Sequence, residues 1–182
     1  MPHREEKIGG ERLYSGQVFD LEKWQVRLEN GLTAEREVIL HRGGVGVLVM
    51  NEKDEVLLVR QYRTGAGGET LELPAGKRSA GEHPADCGRR ELEEECGLIA
   101  EHLEPLGALL PTPAYCSEKI WIYRAVGLSA GAIHLDEDEF ITPVWVPLTQ
   151  ALAMVLSGEI EDAKTQIALL KYAVLCGKGA NI

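Results

Sequence analysis

Residues 76–98 read GKRSAGEHPADCGRRELEEECGL, and this stretch constrains the fold more than any other. Pro84 suits the first turn of a helix, where its missing N–H would have no partner anyway. Ala85 to Cys96 is rich in helix formers, and Gly97 stands where helices commonly end in a left-handed residue. On that helix Glu91, Glu94 and Glu95 fall at i, i+3 and i+4 and share one face. Leu92 and Cys96 share a different face, suited to packing on a sheet. Three neighbouring carboxylates repel one another unless something positive lies between them. A hard divalent cation with oxygen ligands answers that need, and Mg²⁺ keeps positions open for substrate phosphates. An arbitrary glutamate run is usually a solvated face, here with Arg89 and Arg90 as ion-pair partners. Gly76, Glu82 and Gly97 at fixed offsets around the run favour the metal reading.

The chain has 182 residues, enough for one domain with a substantial core. No apolar run approaches the length that spans a bilayer. The N-terminal MPHREEKIGGERLY lacks the apolar centre of a signal peptide. The expectation is a cytoplasmic protein with no membrane partner. Cys87, Cys96, Cys116 and Cys176 form no CxxC pair, so neither a zinc site nor a disulfide framework is expected. Net charge is 19 − 29 = −10. That argues against general nucleic-acid binding, which needs a basic surface to replace counterions. It leaves room for a phosphate-bearing substrate, because a bound cation inverts the local charge.

Residues 11–40 alternate in the manner of strands, and Asn30-Gly31 predicts a hairpin joining strands near 18–28 and 33–40. Val45 to Met50 and Val56 to Gln61 are short apolar runs typical of core strands, with the turn Asn51-Glu52-Lys53-Asp54 between them. Glu69 to Leu73, Leu103 to Leu110, Lys119 to Val126 and Thr142 to Val146 read as further strands. Leu148 to Leu156 and Ala163 to Leu175 have helical spacing. Strands with one helix inserted and helices at the end predict an α+β layered domain. A single domain over 1–182 is expected, with N-terminal strands in 1–40 and a core over 41–182.

Gly76, Glu82, Arg90, Glu91, Leu92, Glu94, Glu95, Gly97 and Leu98 together match the Nudix box. The chain therefore resembles the Nudix hydrolases, which cleave nucleoside diphosphates linked to another moiety. The resemblance implies an α/β/α sandwich around a mixed central sheet, with an N-terminal antiparallel extension. Features outside the box resemble the ADP-ribose pyrophosphatase branch. Gln61-Tyr62-Arg63 followed by Glu72-Leu73-Pro74-Ala75-Gly76 is similar to that branch's run into the box. Pro113 lies 113 − 97 = 16 residues beyond Gly97, in a loop that departs from the branch's pattern at Ala114 and Tyr115. Leu135 to Ile141 resembles the branch's acidic loop. Gly158 to Thr165 is similar to the turn into the last helix in both ADP-ribose and GDP-mannose pyrophosphatases.

By that resemblance the substrate is a nucleoside diphosphate sugar. ADP-ribose, split to AMP and ribose 5-phosphate, is the first expectation, and GDP-mannose or another such sugar is the alternative. A non-catalytic ligand-binding regulator is the third reading, disfavoured because every box carboxylate is kept. The implied metal ligands are Glu91 and Glu95, with Glu94 assisting, the backbone carbonyl of Ala75, and Glu139 for a further site. Mg²⁺ is the expected cofactor, with Mn²⁺ as a substitute. Arg90 is expected to hold a box glutamate, and Glu82 to support the site or ligate through water. The base is Glu137 or a box glutamate. Arg63 is the expected phosphate contact, since its fork suits two oxygens, and Pro113 shapes the substrate loop. Trp24 is either a stacking partner for the base or an interface residue. Asp162 is a plausible helix N-cap, and His134 is assigned no role. Members of this branch pair through the N-terminal strands, so a homodimer is expected.

Overall fold

The computed structural model describes residues 3–135 and 137–178, which form two compact units. The N-terminal unit comprises residues 3–43 with Leu110–Lys119. Its strands β1 (Glu6–Ser15), β2 (Phe19–Arg27) and β3 (Thr33–His41) form an antiparallel sheet in that order. The turn expected at Asn30-Gly31 joins β2 to β3, closed by the Leu28 N–H donating to Leu32 O at 2.8 Å. β1 begins five residues ahead of the alternation seen in the sequence, because Glu6 to Gly10 pair with β2 through charged and glycine positions rather than an apolar stripe. The segment around Cys116 adds a parallel bridge to Ile39.

The second unit comprises Gly44–Leu109 with residues 120–178. β4 (Gly44–Leu48), β5 (Glu55–Arg63), β6 (Gly68–Glu72) and β7 (Ala75–Lys77) lead to helix α1 (Pro84–Cys96). β8 (Leu98–Leu109), β9 (Ile120–Ala130) and β10 (Thr142–Pro147) follow, then α2 (Leu148–Ser157) and α3 (Ala163–Leu175). One sheet runs β7-β4-β9-β8 and is mixed: β4 and β9 are parallel, the other pairs antiparallel. The other runs β10-β5-β6 and is antiparallel. β7 was not separable in the sequence, since its three residues, Ala75 to Lys77, carry no apolar pattern and are defined only by pairing with β4.

Alternation along β4 explains the layering. Val45, Val47 and Val49 point to a cluster with Cys87, Leu92 and Ala100, under α1. Leu48 points the opposite way, to a cluster with Leu152 of α2 and Leu169 and Ala173 of α3. The helices thus cover the two faces, an α+β sandwich around a mixed sheet. Among the described residues no helix is long and apolar enough to cross a membrane. Leu92 is fully buried beneath α1. Leu92→Ala should therefore lower unfolding free energy by about 2–5 kcal/mol, measured by denaturant titration.

Candidate active site

The site is built on α1 and the short strand before it. His83 caps the helix, its Nδ1 accepting the Ala85 N–H at 3.3 Å, and Pro84 takes the first helical position. At the other end Gly97 adopts φ 61°, ψ 35°, and its N–H donates to Glu93 O at 2.8 Å. A side chain with a Cβ would strain that left-handed turn. β7 runs so close to α1 that a Cβ on Gly76 would stand 1.9 Å from the Glu91 carboxyl carbon. The glycine is required there for space. One residue earlier, the Ala75 N–H donates to Glu95 Oε2 at 3.0 Å.

Arg90 gathers the exposed side of the cluster. Its Nε donates to Glu82 Oε1 at 3.0 Å, and its Nη1 lies 2.9 Å from Glu91 Oε1 and 2.8 Å from Glu94 Oε2. Glu82 in turn accepts the Ser79 N–H at 2.8 Å, which fixes the loop between β7 and α1. Hydrogen bonding to Glu82 is the first of several causes that hold Arg90 in its charged form. Glu94 stays partly exposed, whereas the Glu91 and Glu95 side chains turn inward.

Those two inward carboxyls are short of positive charge. Burial pushes Glu91 up to about 7, against the pull of Arg90, with Glu94 and Glu139 adding repulsion. Burial pushes Glu95 up to about 8, against the Ala75 N–H, with Glu91 and Glu139 adding repulsion. Glu139 therefore lies near enough for its charge to bear on both. Its loop is tied to the helix end, where the His134 N–H donates to Glu94 O at 2.9 Å and the Gly131 N–H to Gly97 O at 2.8 Å. Glu137 sits exposed in that loop. Asp136 lies outside the described residues.

Among the described residues no three His, Cys, Asp or Glu side chains already converge as a ready metal cage. Arg90 draws on Glu91 and Glu94 instead. The donor set nevertheless fits a hard cation in its chemistry: oxygen acceptors only, desolvated, and paying for burial in protonation.

A Nudix domain model matches residues 40–168. The chain belongs to the Nudix family. It is 38% identical over 167 residues to the ADP-ribose pyrophosphatase of Bacillus subtilis (strain 168), spanning 91% of this chain and 90% of that protein. The same figures hold for the methanol dehydrogenase activator of Bacillus methanolicus. A solved structure described as an ADP compounds hydrolase superposes with a TM-score of 0.82 at 24% identity, covering 96% of this chain and 97% of that one, which shows the fold.

Beside the Nudix helix lies a charged network that sequence reasoning did not assemble. Arg63, at the end of β5, donates from Nε and Nη2 to the two oxygens of Glu72, each at 2.8 Å. Lys164, in the first turn of α3, also binds Glu72 and lies 3.0 Å from Asp162. Asp162 caps α3, accepting the Thr165 N–H at 2.9 Å as the sequence suggested. Glu72 precedes Leu-Pro-Ala-Gly directly, and that adjacency was the signal available. Lys164 carried none, since a lysine in a helix first turn is ordinarily solvated. Arg63 is also close enough to Glu95 to draw its carboxyl down.

Trp24 and Pro113 belong to the N-terminal unit. The Trp24 Nε1–H donates to Glu22 Oε2 at 2.6 Å, and Lys7 Nζ stands 4.2 Å from the ring centroid. One face of the indole is thus taken by a cation in this structure. Pro113 is exposed in the turn closed by the Cys116 N–H donating to Thr112 O at 3.0 Å.

The inward carboxyls imply a specific pH response. A carboxyl whose folded pKa is raised contributes stability fully below the unfolded value near 4.5, and that contribution is lost as pH rises through 7 to 8. In EDTA, the melting temperature should therefore climb as pH is lowered from 8.5 to 5.5. Divalent cation at pH 8 should raise it, by binding the ionised carboxylates. A flat profile in EDTA, read by scanning calorimetry, would contradict the buried-carboxyl account.

Proposed function

We propose that this chain hydrolyses the pyrophosphate bond of a nucleoside diphosphate sugar, with ADP-ribose as the leading substrate and AMP and ribose 5-phosphate as products. The observation that carries the reading is the pair of desolvated carboxyls, Glu91 and Glu95, packed on β7 beside the Arg63 guanidinium. The likeness to an ADP-ribose pyrophosphatase over nine-tenths of both chains supports the substrate class. GDP-mannose is the alternative within that class. The likeness to a methanol dehydrogenase activator carries a second reading, action on a partner enzyme. The intact carboxylate face makes hydrolysis the preferred one.

Glu91 and Glu95 would hold a divalent cation, Mg²⁺ or Mn²⁺, with Glu94, the Ala75 carbonyl and Glu139 as further oxygen donors. A bound divalent ion offsets pyrophosphate charge and polarises the bond to be cleaved. The residues around it do the positioning. Arg90 keeps Glu82, Glu91 and Glu94 in fixed relative places. Arg63 offers a fork to the phosphates. Glu137, or a box glutamate, accepts the proton from the attacking water. Pro113 and Trp24 remain proposed substrate contacts carried by the N-terminal unit.

Turnover of ADP-ribose, GDP-mannose, UDP-glucose and FAD with Mg²⁺, with products identified, tests the reading. Glu91→Gln and Glu95→Gln should each lower kcat by about 10² or more. Glu137→Gln should lower kcat by about 10²–10⁴ if it is the base, and Glu139→Gln should raise the metal concentration needed for half-maximal rate. Near-normal rates in both box variants at saturating Mg²⁺ would remove the metal site from the account.

We further propose that two copies pair through the N-terminal sheet. Ile8, Leu13, Tyr14, Val18, Phe19 and Leu32 are exposed on that unit, and exposed apolar patches mark interaction surfaces. Light scattering at micromolar concentration should give the mass of two chains, and a fully active monomer would rule the pairing out.

A further inference from the structure

The carboxyl of Glu72 is buried and held from three sides. It is 2% exposed, and burial alone would push it up, but Arg63, then Lys164 and Thr70, reverse that and bring it to about 2. Arg63 meets it with two parallel bonds of 2.8 Å, the Thr70 hydroxyl donates to Oε1 at 2.6 Å, and Lys164 takes Oε2. Behind Lys164, Asp162 accepts from the Thr165 hydroxyl at 2.5 Å. That hydroxyl in turn accepts the Leu73 N–H at 2.8 Å. The network thus reaches from the α3 N-terminus to the residue next to Glu72.

Arg63 is the asymmetric member. Its Nε and Nη2 are spent on Glu72, its Nη1 donates to no described residue, and its side chain is 43% exposed. A bridge that served folding alone would gain by burying both partners, and a hydrophobic pair would often serve as well. Here one guanidinium edge is fixed on a buried carboxylate while the arginine side chain as a whole stays 43% exposed. Two bonds set the plane of a guanidinium, so the opposite edge has a set direction before any ligand arrives. Lys164 offsets the negative charge that would otherwise cancel the pull of Arg63 on an anion.

We propose that Glu72 is a positioning residue for substrate binding: it clamps Arg63 by one edge, so that the opposite edge is oriented toward a diphosphate oxygen, while Lys164 supplies the second positive charge that the clamp requires. This rests on the reading of Arg63 as the phosphate contact.

A double-mutant cycle separates this from a structural role. Inorganic pyrophosphate is titrated calorimetrically, with Mg²⁺ at the assay concentration, into the wild type, Glu72→Gln, Arg63→Ala and the double variant. Glu72→Gln should weaken binding about tenfold in the wild-type background, and by less than about twofold once Arg63 is gone. In turnover it should raise KM for ADP-ribose while changing kcat by less than about threefold. Equal weakening in both backgrounds would show that Glu72 acts on the fold alone, and tighter binding would show that it competes with substrate for Arg63. Either result overturns the proposal. Thr70→Val, which removes one donor to Glu72 without removing its charge, should shift affinity in the same direction by about threefold. If Glu72→Gln does not fold, unchanged affinity in Thr70→Val overturns the proposal by itself. A wild type that hydrolyses no nucleotide sugar would sink the functional reading alone, because the pyrophosphate cycle is read without turnover.

Discussion

Carrying two desolvated carboxyls on the same helix that fills the core is the constraint on which the rest of this structure depends. Leu92 packs under α1 while Glu91 and Glu95, one residue before and three after it, turn toward β7. Both requirements are met only if the strand runs hard against the helix. Glycine at position 76 makes room for the Glu91 carboxyl, and the Ala75 N–H gives Glu95 one strong donor. Burial nonetheless leaves both acids raised, to about 7 and about 8. A site arranged this way is poised for a positive partner, because ionising its acids in low dielectric is costly without one.

Glu72 and Glu95 show how far environment governs one residue type. They are 2% and 3% exposed, and desolvation pushes both upward. Glu72 ends at about 2 because Arg63 and Lys164 both bind it directly. Glu95 ends at about 8 because its one described hydrogen bond comes from a neutral amide and its acidic neighbours repel it. The first acid is a settled ion pair, stabilising above the unfolded value near 4.5 and losing that effect as pH falls toward 2. The second is an unsettled charge. Two buried glutamates within one unit thus differ by whether a cation binds them directly.

Much of this was legible in the chain. Pro84 and Gly97 bracket α1 where a helix must start and stop, and both act locally, so no long-range contact was needed to place them. Strands β4, β5 and β10 follow apolar runs, and α2 and α3 follow helical spacing, because one-sided burial imprints its period on sequence. The element lost was β7, three residues defined by pairing alone. The start of β1 was displaced for a similar reason: glycines and charges at residues 6–10 pair without an apolar period.

The sequence by itself determined the acidic helix face, its ends, its neighbouring Arg90, and the order of the strands and helices around it apart from β7, since these depend on spacing within one segment. Only the tertiary structure decided which of the three glutamates are buried, because Glu91, Glu94 and Glu95 are equivalent on an isolated helix and differ once β7 covers one side. Only the tertiary structure brought Lys164 across 92 residues of chain to Glu72, and Glu72 to Arg63. Spacing gives no sign that these members meet, because they lie on separate elements: Arg63 and Glu72 stand out only through the run into the box, and Lys164 reads as an ordinary surface charge.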